Sequence, residues 1–248
     1  MTLCLLFLAS IVWGGPIEDA LEEVAPLRAL RLAKDAPEIP ARAYQRAARG
    51  SPVAGVLMTK ESKAGKGWGV MIYDFPVEVV WMAVNDEPAM AEWLPVSISS
   101  VIGGIPGAHG HILFEYMPIP VFTNRWWIVD VSHNADLYRA SGGKVWEQSW
   151  VDATDPNRLA GTPYAEYRDI GMPVDWSLGS WMLVQLSDNR TLGEFFTWTD
   201  PGGRLPPGPT SRFASGAIKD TMRAVEALAK EREHTSRTGF VRPNQEPL

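Results

Sequence analysis

The most constraining feature of the chain is a strand, a tight turn and a long helix in succession near the C-terminus. Residues 193–199 read Gly-Glu-Phe-Phe-Thr-Trp-Thr, and aromatic residues and threonine are typical of a half-buried strand. The tetrapeptide Asp-Pro-Gly-Gly at 200–203 ends this strand, because proline lacks an N–H for the ladder and glycine admits positive φ. A helix is predicted from a cap at Thr210 or Ser211 to about Glu233.

This helix carries one apolar stripe, which requires an apolar surface to lie on. The predicted stripe consists of Phe213, Ala217, Thr221, Val225, Leu228 and Ala229, with Ile218 and Met222 beside them. The rest of the chain offers short, tryptophan-rich strand segments. We therefore expect an α+β fold in which the long C-terminal helix lies across a curved antiparallel sheet.

Apolar and aromatic segments separated by turn residues predict the strands of this sheet. The predicted strands are residues 53–60, 67–75, 96–102, 111–117, 123–133, 144–151, 164–168, 178–187 and 191–199. A helix is predicted after the second strand, beginning at Pro76, because proline is favoured in the first helical turn. Turns recur about every ten residues, which favours one antiparallel sheet.

The N-terminus begins with an apolar run, residues 3–13, that has the length of a signal-peptide core and is too short to span a bilayer. Residues 1–14 are therefore predicted to be a signal peptide cleaved near Gly14, and the protein to be periplasmic or secreted. The run lacks Lys and Arg, so a retained anchor and a misassigned start codon are the alternatives. Without cleavage the protein would be membrane-associated or cytoplasmic.

The remaining chain divides into three predicted parts. Residues 15–50 are expected to form a helical extension, interrupted at Pro26 and at 36–40. Residues 51–233 form the main domain. Residues 234–248 are polar and contain proline, which predicts a disordered tail.

Composition excludes several functions. The formal net charge is −6, and there is no basic patch of the kind that binds nucleic acid. Cys4 is the one cysteine and lies in the apolar N-terminal run, so no disulfide, cysteine-based metal site or thiol nucleophile is expected in the folded part. The 11 tryptophans fit either a solid aromatic core or a roomy apolar pocket.

The order of these elements resembles that of START domains, the lipid-transfer branch of the helix-grip (Bet v 1-like, SRPBCC) superfamily. Asp-Pro-Gly-Gly-Arg-Leu-Pro at 200–206, between strand and terminal helix, is similar to the end of these domains. Asn-Arg-Trp-Trp-Ile-Val at 124–129 resembles the family's arginine-plus-aromatic strand, and 67–94 its early strand and helix. Over about residues 50–233, the resemblance implies a helix-grip fold and a cavity between sheet and helix that binds a lipid or other hydrophobic molecule, without a cofactor.

The resemblance also implies a polar pair in this cavity. Arg125 fits the family's arginine position, and Glu115 on the neighbouring strand is its predicted acidic partner. A bidentate pair of this kind would orient the polar end of a ligand. An exposed pair at the rim, which contributes little, is the alternative.

Aromatic residues on the strands are the predicted lining of the cavity. Alternation places Trp146, Gln148 and Trp150 on one face, and a glutamine among aromatic side chains needs a partner such as a ligand hydroxyl or a water. An outward-facing strand surface is the alternative. The predicted ligand-binding residues are Arg125, Glu115, Trp127, Trp146, Gln148, Trp150, Trp181 and Met222, with Trp198 as a further lining residue.

Motifs for catalysis are sparse. His109 and His111 would share one side of a strand, but no third ligand is evident and no metal is expected. The sequence therefore favours binding and transfer of a hydrophobic molecule without turnover, with transient membrane contact and no nucleic acid partner. One rival is a polyketide cyclase or dehydratase-like enzyme on the same fold. The other is an interaction module with a solid core. The candidate bases of the enzyme are Glu115, Glu166, Tyr164 and His133.

Overall fold

The chain folds into a curved sheet that holds the long C-terminal helix on one face. The predicted α+β architecture is confirmed, and the predicted signal peptide lies outside the described residues. The computed structural model describes residues 15–60, 64–94, 96–203 and 210–248, except for the side chains of residue 16 and residues 210–214.

Nine strands form the sheet within these residues. They are β1 (Val53–Leu57), β2 (Lys66–Tyr73), β3 (Ile98–Gly103), β4 (Ile112–Met117), β5 (Arg125–His133), β6 (Val145–Asp152), β7 (Met172–Pro173), β8 (Trp176–Ser187) and β9 (Arg190–Asp200). Their order across the sheet is β1-β2-β9-β8-β6-β5-β4-β3, with β7 beside β5. The pairings are antiparallel except for the short parallel pair of β5 and β7.

Helices cover both faces of the sheet. They are α1 (Pro16–Val24), α2 (Ala41–Ala47), α3 (Val77–Val84), α4 (Glu87–Met90), α5 (Ala135–Ala140), α6 (Tyr167–Ile170) and α7 (Thr210–Arg232), with short 3-10 segments at Ala25–Leu30 and Pro156–Leu159. The sequence did not predict α5, whose start is capped by Asn134 Oδ1 accepting from the Leu137 N–H at 2.9 Å. The other helices lie close to their predicted positions except α6.

Helix α7 lies directly on the backbone of β2, on what we call the inner face of the sheet. Ile218 and Met222 are buried there. A Cβ on Gly69 would come within 2.7 Å of Met222 Sδ, so glycine permits the close approach. The buried stripe is rotated from the predicted one, because Ala217 is exposed and the bulkier side chains take the contact. The side chain of Phe213 lies outside the described residues.

One half of the inner face is a solid core, which we call the packed half. Helices α3 and α7 cover Trp146, Trp181 and Phe195, all buried. Trp81 of α3 meets Trp146 edge-on, with ring centroids 5.5 Å apart, and Trp181 lies 4.7 Å from Phe195. Such aromatic pairs add to the energy of burial; the first joins α3 to β6, and the second joins β8 to β9.

The N-terminal extension covers the opposite, outer face through an apolar cluster and a buried charge network. Arg28 Nη1 donates to Glu194 Oε2 at 2.9 Å, and Arg28 Nη2 forms a second bond to the same carboxylate. Tyr44 OH donates to Glu194 Oε1 at 2.7 Å. Burial alone would raise the pKa of Glu194, but Arg28, Arg31 and Tyr44 outweigh it and hold that pKa below its ordinary value. The extension is therefore attached to β9 by ionised groups.

A second buried carboxylate, Glu147 of β6, completes this attachment. It accepts hydrogen bonds from Arg31 Nε at 3.2 Å and from the Leu32 N–H and Asn134 Nδ2, both at 2.7 Å. Arg31 Nη2 also reaches Ser180 Oγ at 3.0 Å. Every oxygen of Glu147 thus has a donor, as a buried carboxylate requires.

The outer face of β3, β4 and β5 is covered by the segment that follows β6. Tyr164 stacks on Phe114 with centroids 5.0 Å apart, and Tyr167 meets Tyr116 at 4.6 Å. The predicted strand at 164–168 is wrong, because this segment packs its tyrosines on the sheet and then turns into α6.

The C-terminal tail also differs from the prediction, because it is packed rather than disordered. Trp81 Nε1 donates to the Val241 carbonyl oxygen at 2.8 Å, and Val241 bridges Pro247. Phe240 and Leu248 pack against the core under α3 and α7. A few apolar residues spaced along a polar tail are enough to hold it in place.

Candidate functional site

One part of the inner face differs from the packed half because its side chains are only half-buried. Glu115 of β4 lies opposite Trp127 of β5, and Trp150 of β6 lies opposite Val131. Strand alternation directs these side chains to the inner face. Glu115, Trp127 and Trp150 are half-buried, whereas the packed half is buried. We call these three residues the candidate site.

Glu115 is the ionisable group of the candidate site. Its Oε2 accepts a hydrogen bond from Trp127 Nε1 at 2.5 Å. Burial raises the pKa of Glu115 to about 7; the Trp127 bond opposes the shift and the negative charge of Glu87 adds to it. Near neutral pH the Glu115 carboxyl therefore exists in both protonated and ionised forms.

The predicted pair of Glu115 and Arg125 is wrong. Strand register places Arg125 opposite Met117, two positions away from Glu115 along the ladder. The Arg125 guanidinium instead donates to three backbone carbonyl oxygens, those of Thr123, Pro201 and Gly202, the last at 3.1 Å. Arg125 thus ties the turn after β9 to the start of β5.

The predicted aromatic lining divides between two regions. Trp127 and Trp150 belong to the candidate site. Trp146, Trp181 and Met222 lie on the inner face but are buried in the packed half. The structure therefore brings two of the predicted tryptophans beside Glu115, and it places the other predicted apolar residues in the core.

Trp198 lies on the wrong face for the predicted lining. It is three residues beyond Phe195, whose ring packs on the inner face against Trp181, so alternation turns it to the outer face. There its ring meets Trp176 edge-on at 4.6 Å, and its Nε1 donates to the Ala64 carbonyl oxygen at 2.9 Å.

Gln148 lies on the inner face, as predicted, and its partners are protein groups. Its Nε2 donates to Asn85 Oδ1 at 3.1 Å and to Glu87 Oε1 at 3.0 Å. Asn85 lies between α3 and α4, and Glu87 is the first residue of α4. The buried amide is therefore satisfied without a ligand hydroxyl or a water.

Glu87 and His111 form a buried pair next to Gln148. His111 Nε2 lies 3.0 Å from Glu87 Oε1, and His111 Nδ1 lies 2.6 Å from the Ala108 carbonyl oxygen. Burial disfavours the charged imidazole, but the hydrogen bond and the charge of Glu87 outweigh it and raise the pKa of His111. Both ring nitrogens face acceptors, so His111 donates both bonds when its imidazole is protonated.

The other two histidines of this region are structural. His133 Nε2 bonds to Asn85 Oδ1 at 2.8 Å, and burial, with the neighbouring His111 and His109, lowers the pKa of His133 to about 3. His109 Nδ1 accepts from the His133 N–H at 3.0 Å. Within the described ranges, no group of three or more His, Cys, Asp or Glu residues is placed to hold a metal ion.

Sequence reasoning missed Glu87 and Asn85. Both follow an apolar helix, where polar residues are typical of a solvent-exposed helix end. Glu87 followed by Pro88 marked only a break in the predicted helix. The one available signal was His111, a histidine at an inward position of a strand that needed a partner.

The candidate bases of an enzyme do not converge. Of the four, Glu115 alone lies in the candidate site. Tyr164 stacks on the outer face, Glu166 is exposed beside it, and His133 is buried with a pKa of about 3. Of these four candidate bases, the geometry therefore offers Glu115 alone to a molecule on the inner face.

No protein-family model and no curated protein sequence matches the chain. Its fold does match solved structures. A fragment of the STAR-related lipid transfer protein from Xanthomonas axonopodis has a TM-score of 0.57 and 14% identity, covering 73% of this chain and 94% of that one. Human STARD10 has a TM-score of 0.59 and 14% identity, covering 81% and 84%. Human StAR-related lipid transfer protein 5 has a TM-score of 0.59 and 12% identity, covering 87% and 97%.

These likenesses define a START-like helix-grip fold, as the sequence predicted. At such low identity they concern the fold, and function has to be argued from the candidate site. Across the part of the chain that the structure describes, no helix has the length and apolar character of a membrane span.

Proposed function

We propose that this protein binds a lipid or another hydrophobic small molecule on the inner face of the sheet, beside α7, and releases it chemically unchanged. The observation that carries the proposal is the half-buried state of Glu115, Trp127 and Trp150 next to a fully packed core. A hydrophobic ligand that covers the two indole rings would remove apolar surface from water, which is the main source of affinity in such sites.

Native mass spectrometry of the purified protein, followed by organic extraction, tests this proposal. We expect a bound lipid, or uptake of the neutral dye Nile red at one per chain. Trp127→Ala should weaken dye binding by about tenfold, since a buried aromatic contact contributes on the order of 1–2 kcal/mol. Trp93→Ala is the matched control, because Trp93 is exposed outside the candidate site. An empty protein that takes up no dye contradicts the proposal.

We further propose that the loop between β4 and β5 contacts a membrane during loading and release. Val121 is 99% exposed and Phe122 46% exposed. Val121 also has φ of 71°, an uncommon conformation for a β-branched residue, and it presents the apolar side chain to solvent. The loop lies next to the turn after β9, because Arg125 bonds both Thr123 and Gly202.

Flotation with phosphatidylcholine vesicles tests this contact. The double variant Val121→Asp, Phe122→Asp should lose vesicle binding and lipid transfer while keeping dye binding. Ile105→Asp is the matched control, because Ile105 is 70% exposed on another loop. Equal loss in both variants would contradict a specific role for the β4–β5 loop.

We also propose that the protein acts after export, with cleavage near Gly14. The support is the apolar run at residues 3–13. Intact-mass measurement of the protein expressed from its full sequence should find a chain that begins close to Gly15. A full-length chain in the cytoplasm contradicts this.

The second candidate function is an enzyme on the same fold, and Glu115 is the observation that favours it. A carboxyl group with a pKa of about 7 can donate and accept a proton near neutrality. Turnover of a bound polyketide-type substrate with a pH-dependent rate, lost in Glu115→Gln, would support an enzyme over a carrier.

A further inference from the structure

Two carboxyl oxygens on the inner face accept no hydrogen bond from the described residues. Glu87 Oε2 is buried and has no partner, although the side chain is only 9% exposed. Glu115 uses one oxygen, Oε2, for Trp127. A buried acceptor without a donor is costly, and native proteins leave few of them.

The two carboxyl groups belong to one neighbourhood. The charge of Glu87 acts on Glu115, and α4, which carries Glu87, packs against β3, the strand beside Glu115. Glu87 Oε1 is already occupied by His111 and Gln148, so only its second oxygen is free to accept. With Glu115 ionised, the two carboxyl groups therefore leave Glu87 Oε2 and Glu115 Oε1 as acceptors that no described residue uses.

Two cationic groups near the candidate site, Arg125 and His111, already bond to protein acceptors. Each of the three guanidinium nitrogens of Arg125 donates to a backbone carbonyl oxygen. His111 is fully buried, and both ring nitrogens face protein acceptors. An anionic headgroup placed beside ionised Glu115 would meet like charge, whereas a ligand hydroxyl or amine would donate to this carboxylate.

We propose that the candidate site receives the polar end of a ligand that donates hydrogen bonds, a hydroxyl or an amine, and that Glu115 and Glu87 accept them. This inference rests on the proposed binding function and narrows it to ligands whose polar end is neutral or cationic. Phosphate and carboxylate headgroups are disfavoured at this site. The apolar part of the ligand lies against Trp127 and Trp150.

A set of probes with the same alkyl chain tests the inference: dodecanol, dodecylamine, dodecanoate and dodecyl phosphate, each competing with Nile red below its micelle concentration. The alcohol and the amine should bind at least about tenfold more tightly than the two anions, as expected for charge-assisted hydrogen bonds. Comparison of alcohol with amine then distinguishes a hydroxyl ligand from an amine ligand.

Variants of Glu115 and Glu87 test whether these two residues cause the preference for hydrogen-bond-donating headgroups. Glu115→Gln and Glu87→Gln should each weaken amine binding by about tenfold and leave dodecanoate unchanged or tighter. Glu92→Gln is the control, because Glu92 is an exposed carboxylate shortly after α4 and its loss changes the net charge equally. If Glu87→Gln fails to fold, Glu115→Gln and Glu115→Leu carry the test.

Two outcomes would overturn the inference, and they are distinguishable. If Nile red binds but the four probes compete equally, or the anions compete better, the donor preference is wrong and the binding function stands. If neither Nile red nor any probe binds, the proposed function fails and the inference with it.

Discussion

Glu115 is the residue at which the fold and the proposed function meet. Its pKa of about 7 lies above the ordinary value, so the ionised form is less favourable in the folded than in the unfolded chain. The protonated carboxyl group therefore stabilises the folded chain. This stabilisation is fully present below the pKa that Glu115 has in the unfolded chain, and it is lost as pH rises through the pKa that Glu115 has in the folded chain. A ligand that donates to Glu115 would offset this loss.

We predict that Glu115→Gln removes this pH dependence. Between about pH 5 and about pH 8 the wild type should lose about 2 kcal/mol of unfolding free energy relative to Glu115→Gln. Urea unfolding at both pH values measures the difference. The control Glu92→Gln should track the wild type, because Glu92 is exposed. A constant difference between wild type and Glu115→Gln at both pH values would contradict the raised pKa.

Arg125 provides a second prediction, which separates a structural role from a ligand-binding one. Arg125→Met should lower the unfolding free energy by about 2–3 kcal/mol, because it leaves the carbonyl oxygens of Thr123, Pro201 and Gly202 without their donor. Denaturant unfolding measures this. Arg168→Met is the control, since Arg168 is exposed. If Arg125→Met instead abolished ligand binding and left the unfolding free energy unchanged, Arg125 would have the ligand-binding role predicted from the sequence.

For single residues, the sequence predicted the face of the sheet on which a side chain lies better than it predicted the contacts of that side chain. Alternation correctly placed Gln148 and Trp127 on the inner face, because the side-chain period of a strand is fixed. It did not predict that Arg125 pairs across the sheet with Met117, because register depends on the turn between β4 and β5. Nor did it predict Glu87, whose partner His111 is brought near only by folding.

Among the elements, β8 shows how closely the inner face is packed beside the candidate site. A Cβ on Gly179 would lie 2.2 Å from the Trp150 ring and 2.3 Å from the Phe196 carbonyl oxygen. The first contact involves a side chain of the candidate site, and the second involves the backbone of β9. Neither neighbour can move without disturbing the sheet or the site.

We therefore predict that Gly179→Ala lowers the unfolding free energy by about 2–3 kcal/mol or more, as overpacking does. Gly216→Ala in α7 is the matched control. Its new methyl group meets no atom within 4 Å, and alanine favours a helix over glycine by about 1 kcal/mol, so it should stabilise. Denaturant unfolding of both variants shows whether each substitution lowers or raises the unfolding free energy. Equal effects in both variants would contradict the packing of Trp150 against β8.

The C-terminal tail gives the next prediction. Phe240→Ala should lower the unfolding free energy by about 1–2 kcal/mol, because the ring packs on the core under α3 and α7. The control Arg237→Ala should be neutral, since Arg237 is exposed. Thermal or denaturant unfolding distinguishes them. If Phe240→Ala left the unfolding free energy unchanged, this result would favour the disordered tail predicted from the sequence.

Element identity was largely predictable from the sequence, with informative exceptions. The strands of the sheet and α7 follow from alternation, turn residues and helical spacing. The segment at 164–168 was mistaken for a strand because tyrosines are typical of strands. In the structure these tyrosines pack on the outer face of the sheet. The tail was mistaken for disorder because its polar composition conceals the contacts of Val241 and Phe240.

For the whole molecule, the sheet is held between two layers of different character. On the inner face α3 and α7 pack through apolar side chains. On the outer face the N-terminal extension combines an apolar cluster with the buried charges of Arg28, Arg31 and Glu194. Buried ion pairs contribute little net stability compared with apolar packing, but loss of one partner is costly. The charged part of the extension's attachment therefore depends on pH through Glu194.

We predict that the extension detaches at acid pH before the sheet unfolds. The pKa of Glu194 lies below its ordinary value, so its stabilisation is present above the unfolded pKa and is lost as pH falls through the folded pKa. This direction is opposite to that of Glu115. The hydrogen-exchange protection of residues 15–50, measured relative to the intrinsic rate at each pH, should therefore fall in acid while β8 and β9 stay protected.

Glu194→Gln is the variant that isolates this effect. It should lower the unfolding free energy by about 3–5 kcal/mol, because Arg28 and Arg31 lose their shared carboxylate. It should also lower the exchange protection of the extension at neutral pH and make that protection insensitive to acid. Glu226→Gln, an exposed change on α7, is the control. If the extension and the sheet exchange together at every pH, the charge network is not a separate attachment and the two layers form one cooperative unit.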